Sequence, residues 1–71
     1  MAQFGATVLI PALNEETIIA ETVTAAKRIP GVTQVIVVDD GSSDQTSEQA
    51  RKAGAFVIKA EKNLGKGGAL N

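Results

Sequence analysis

The feature that most restricts the fold is Val35-Ile36-Val37-Val38, an unbroken β-branched run followed at once by Asp39, Asp40 and Gly41. β-branched side chains favour extended backbone. A run without polar alternation predicts a strand buried on both faces, as in a parallel sheet covered by helices. The two carboxylates then sit at the carboxyl end of that strand, and Gly41 permits a sharp turn after them.

The flanking segments fit the same plan. Thr7-Val8-Leu9-Ile10 predicts a strand that ends at Pro11, which has no backbone donor. Asn14 is expected to cap the following helix, with Glu15 and Glu16 in the first turn near the positive end of its dipole. Ile19, Val23 and Ala26 recur at helical spacing, with Ile18, Thr22, Ala25 and Ile29 as a neighbouring row, which predicts a wide apolar stripe. Pro30-Gly31 stops this helix. After Gly41, either Ser43 or Asp44 can cap a second helix running to about Ala53, with Ala50 and Ala53 inward and Gly54 as a left-handed C-cap. Ala55-Phe56-Val57-Ile58 predicts a third strand. Lys59 to Gly68 reads as a polar, glycine-rich loop, and Gly68 to Asn71 as the start of a third helix.

The order β-α-β-α-β predicts parallel strands joined by right-handed crossovers. Open parallel sheets bind ligands at the carboxyl ends of their strands. Three polar clusters fall at those ends: Pro11 to Glu15, Asp39 to Asp44, and Lys62 to Gly68.

Composition excludes several chemistries. Seven basic residues against eight acidic ones give a net charge of -1 over 71 residues, so no general field attracts nucleic acid. The sequence has neither cysteine nor histidine, which removes disulfides, thiolate chemistry and the commonest neutral-pH base. Its apolar runs are too short to span a bilayer, and Met1-Ala2-Gln3-Phe4 does not resemble a signal peptide.

Asp39 and Asp40 are costly neighbours unless water, donors or a cation compensate. One of them can accept the N–H groups of the turn, leaving the other to meet a ribose hydroxyl, a base N–H or a metal. Both could equally be strand-end polar residues. Glu15 is either a favourable first-turn charge or an acceptor for a ligand, beside a loop stiffened by Pro11. Lys66, within Gly65-Lys66-Gly67-Gly68, pairs a cation with exposed backbone N–H groups that suit a phosphate, although a solvated loop lysine has the same pattern. Neither the dinucleotide glycine motif nor a P-loop is present at its required place.

Taken together, Pro11-Ala12-Leu13-Asn14-Glu15, Val37-Val38-Asp39-Asp40-Gly41-Ser42-Ser43-Asp44 and Asn63-Leu64-Gly65-Lys66-Gly67-Gly68-Ala69-Leu70-Asn71 resemble the opening of the family 2 glycosyltransferases. These have the GT-A fold and use nucleotide-diphosphate sugars. The resemblance implies an α/β, three-layer, Rossmann-like parallel sheet that is incomplete here, with residues 1–71 forming the N-terminal nucleotide-binding portion. It implies that Pro11, Ala12 and Glu15 line the nucleotide pocket. Asp40 would contact base or ribose with Asp39 as its structural neighbour, Asp44 would cap the helix, and Lys66 and Gly67 would close near ribose and diphosphate. Leu13 stands where many members carry an aromatic residue.

The family's metal-binding Asp-x-Asp cluster and catalytic base are expected beyond Asn71. Mg or Mn is therefore expected in a full-length parent, whereas the 71-residue chain alone would transfer no sugar. The implied partner is a nucleotide-diphosphate sugar, with the acceptor unspecified and an exposed sheet edge open to self-association. Relatives with the Asn-Glu-Glu opening look like retaining enzymes acting on phosphoglycerate, so the stereochemical outcome stays open. The expected location is the cytoplasm or the cytoplasmic face of a membrane. A non-catalytic nucleotide-binding or structural α/β module is the alternative.

Overall fold

In the computed structural model, residues 5–60 are described. They form β1 (Ala6–Ala12), α1 (Ile19–Lys27), β2 (Val32–Asp39), α2 (Thr46–Lys52) and β3 (Phe56–Lys59). The strands pair in parallel in the order β1-β2-β3, so the expected β-α-β-α-β sheet is present. Lys59, expected to open the glycine-rich loop, instead ends β3; residues 61–68 of that loop and the expected third helix lie outside the described residues.

Both helices pack on one side of the sheet. Alternation along each strand sends Val8, Ile10 and Ala12 of β1, Val35 and Val37 of β2, and Val57 of β3 into that core. Ile19, Val23 and Ala26 of α1 meet them, together with Ala50 of α2. The small Ala50 lets α2 approach closely. Leu9, Phe56 and Ile58 alternate to the opposite side, where they are exposed, while Ile36 and Val38 are half-buried there. The described residues thus supply a sheet and one helical layer, with an apolar second side ready for another.

The stripe on α1 is narrower than its sequence suggests. Ile18 and Ile29 are half exposed, and Thr22 and Ala25 face solvent. A helix lying on a single sheet buries one row, and Ile19, Val23 and Ala26 already fill it.

Pro11 does not end β1, which continues to Ala12 with Pro11 in register with Val38. The Ala12 carbonyl accepts the Asp40 N–H at 2.9 Å. By alternation the missing donor of Pro11 points to the other side of β1, where no strand pairs among the described residues. Gly54 has the expected left-handed backbone, φ 105°. The Ala55 N–H reaches the Ala50 carbonyl at 3.0 Å and the Gly54 N–H reaches Arg51 at 2.9 Å, a Schellman closure of α2.

Candidate functional site

The carboxyl ends of β1 and β2 each lead into a polar loop, and the two loops are joined. The joining begins at the end of β2, where the two adjacent carboxylates have separated roles. Asp39 is fully buried. Its Oδ1 accepts the Ser42 N–H at 2.8 Å and its Oδ2 accepts the Ser47 hydroxyl at 2.5 Å. Burial pushes its carboxyl up, but the bonds from Ser42 and Ser47, with the nearby Lys59 ammonium, together hold it below the usual carboxylate range. Asp40, the next residue, is exposed. Gly41 makes the intervening turn at φ 91°.

Asn14 does not cap α1. That helix starts at Ile19, and the residue before it, Ile18, offers no side-chain cap. Asn14 instead has left-handed backbone, φ 52°, and reaches the second loop. Its N–H donates to Ser42 Oγ at 2.7 Å, and its Oδ1 accepts the Ser43 N–H at 2.9 Å. An asparagine tolerates this conformation better than most residues because its short amide can bond locally. Two cross-loop bonds help to compensate it here.

The next two residues continue the pattern. The Glu15 N–H donates to Thr46 Oγ1 at 2.8 Å, and the Glu16 N–H to Asp44 Oδ2 at 3.3 Å. Glu16 Oε1 accepts the Gln45 N–H at 3.0 Å in return. Of the two expected caps for α2, Asp44 supplies the acceptor: its Oδ1 takes the Thr46 N–H at 2.9 Å and also the Thr46 hydroxyl. That hydroxyl chiefly holds the Asp44 carboxyl below its ordinary value, against a smaller desolvation effect, with the Thr46 and Glu16 N–H groups adding to it.

Of the residues singled out in the sequence, the structure brings Pro11, Ala12, Glu15, Asp39 and Asp40 to one rim. Pro11 is exposed, Ala12 buried and Glu15 half-buried. Lys66 and Gly67 lie outside the described residues. Sequence reasoning missed Ser42, Thr46 and Ser47, all buried and all bonded to the rim. Their only advance signal was a dense run of hydroxyl residues after the acid pair. It also missed Lys59, which lies in register with Asp39 at the end of β3.

Among the described residues no three acidic side chains converge on a point that could hold a metal. Both oxygens of Asp39 are already committed to Ser42 and Ser47. The described residues therefore do not fit a divalent cation, which needs several oxygen ligands. A cleft of about 270 Å³ opens at the other end of the sheet, beside Lys27, Thr33, Gln34, Gly54 and Phe56. It lies where β2 and β3 begin, away from the rim.

A parallel β-α-β-α-β sheet with a polar, hydrogen-bonded rim at its strand ends defines the Rossmann-like class of architecture, in which ligands bind at that rim. Within that class, the chain belongs to the glycosyl transferase family 2, whose family model matches residues 7–71. An uncharacterised protein of Methanocaldococcus jannaschii is 49% identical over 63 residues, covering 89% of this chain and 26% of that protein. Glucosyl-3-phosphoglycerate synthase of Mycolicibacterium smegmatis is 42% identical over 59 residues, covering 80% of this chain and 20% of the relative. The crystal structure of the Mycobacterium tuberculosis glucosyl-3-phosphoglycerate synthase with Mn2+, uridine diphosphate and glucosyl-3-phosphoglycerate superposes with a TM-score of 0.71 at 35% identity. It is covered over 23% of its length, against 89% of this chain. The chain thus spans about a quarter or less of these relatives.

Proposed function

We propose that this chain forms the nucleotide half of a donor site in a glycosyltransferase that moves a sugar from a nucleoside diphosphate to an acceptor hydroxyl. The observation that carries the reading is the joined rim: Asp39 is spent on structure, which leaves Asp40 as the exposed carboxylate of the pair, on the same rim as Glu15 and Pro11. Asp40 accepts from a ribose hydroxyl or a base N–H. Glu15 is a second acceptor, Pro11 and Ala12 form the wall beneath the nucleotide, and Lys66 with Gly67 serves the ribose and diphosphate. The acceptor hydroxyl gives its proton to a base of the full-length protein, its oxygen bonds to the anomeric carbon, and the bond from that carbon to the nucleoside diphosphate breaks; this chain holds the leaving group in place.

The crystallised mycobacterial relative holds Mn2+ and uridine diphosphate, which supports a nucleotide-sugar donor and a divalent ion, Mg or Mn, in the full-length protein. The described residues give that ion no ligand set, so they act on the nucleotide alone. No described helix is long and apolar enough to cross a membrane. The full-length protein is placed in the cytoplasm or at the cytoplasmic face of a membrane, a reading supported by its need for a nucleotide-sugar donor.

The test is calorimetric titration of the full-length protein with uridine and guanosine diphosphates, alongside Asp40→Ala. Loss of a directed, charged acceptor should weaken binding about tenfold or more. Undiminished affinity in the variant would remove Asp40 from the site, and no affinity in the parent protein for either nucleotide would remove the reading.

A further inference from the structure

Three consecutive N–H groups of the first rim loop, those of Asn14, Glu15 and Glu16, each donate to a side chain of the second loop. The middle one meets Thr46, the first residue of α2, which is fully buried. We propose that Thr46 is a positioning residue of the nucleotide site, setting the place of Glu15 through the backbone without touching the ligand. The proposal rests on the donor-site reading above.

Thr46 uses one hydroxyl for two bonds. It donates to Asp44 Oδ1, which fixes the rotor, and that orientation turns a lone pair toward the Glu15 N–H at 2.8 Å. The carboxylate at the far end polarises the pair, and each bond strengthens the other. On the other side of Glu15, its carbonyl accepts the N–H groups of Ile18 and Ile19 at 3.0 and 2.9 Å. The backbone of Glu15 is thus held by α2 at its nitrogen and by the start of α1 at its carbonyl. Only its side chain keeps freedom to meet a ligand. The same second loop carries Asp40, so Thr46 fixes the two carboxylates relative to each other.

Threonine suits this role and valine does not, although their shapes match. Valine would fill the same buried space and leave the Glu15 N–H without its acceptor. Serine keeps the hydroxyl and loses only a methyl group.

The experiment compares Thr46→Val and Thr46→Ser in the full-length protein, reading uridine diphosphate affinity by calorimetry and amide exchange at Glu15, both well below each variant's melting transition. Thr46→Val should weaken affinity about fivefold to tenfold and speed exchange at Glu15, and Thr46→Ser should restore both toward the parent values. If Thr46→Val lowers the melting temperature yet binds uridine diphosphate as the parent does, Thr46 is a packing residue and the proposal fails. Affinity lost equally in both variants would also overturn it, because the hydroxyl would not be the cause. Absence of binding in the unsubstituted protein would sink the donor-site reading itself, a result distinguishable from either.

Discussion

Ser47 Oγ donates to Asp39 Oδ2 at 2.5 Å, fastening the last residue of β2 to the first turn of α2. Both partners are buried, Asp39 completely. Hydrogen bonds to a charged group are worth more than neutral ones, and a buried charge that loses a donor suffers the desolvation cost uncompensated. Ser47→Ala should therefore lower the stability of the full-length protein by about 2 kcal/mol. Denaturant titration with an unchanged slope measures it, and a loss of only a few tenths would show that the bond is not a stabilising tie.

Acid should destabilise the fold through the same carboxylates. Asp39 and Asp44 both titrate below the ordinary carboxylate value in the folded protein. The unfolded chain therefore binds more protons as pH drops below about 4. Their contribution is complete above the unfolded value and is lost as pH falls through the lower folded values. A melting temperature followed from pH 6 to pH 2 should fall below about pH 4, less steeply in Asp39→Asn, which cannot ionise there. An equally steep fall in that variant would show that Asp39 is not a contributor.

Gly41→Ala should cost about 1–2 kcal/mol, because φ 91° places a side chain in left-handed backbone. The turn also carries the Ser42 N–H that Asp39 accepts, so relaxing it would loosen that bond. A melting temperature within error of the parent's would contradict this.

Val37→Asp should abolish the cooperative transition. Val37 is fully buried in the centre strand, between Ile10 of β1 and Val57 of β3. A carboxylate there would have no partner, and an unpaired buried charge costs several kcal/mol. Far-ultraviolet circular dichroism and thermal melting would show it, and a parent-like melt would overturn the centre-strand placement.

The order of elements was legible because apolar runs, Gly54 and the Asp39-Asp40-Gly41 turn act locally. Strand content follows from β-branched side chains, and a C-cap from one glycine. Burial of Ile19, Val23 and Ala26 followed from periodicity, but exposure of Ile18 and Ile29 did not, since it depends on how many layers surround α1. The role of Asn14 differs from the local expectation for a related reason. A polar residue before a helix is a good local cap, and only the tertiary placement of Ser42 and Ser43 reveals that its bonds run across the rim. The division of labour between Asp39 and Asp40 was open in sequence, because side-chain direction at a strand end depends on which face the helices cover.

Leu9, Phe56 and Ile58, on the side that no helix covers among the described residues, make the sheet a shared wall. Changes to these three residues scarcely reach Ile19 or Val23, which lie behind the strands, and are sensed instead by whatever occupies the far side. The unfolding energetics of this segment therefore divide into two nearly independent parts, one between the strands and α1 and α2, the other with a neighbour that residues 5–60 do not provide.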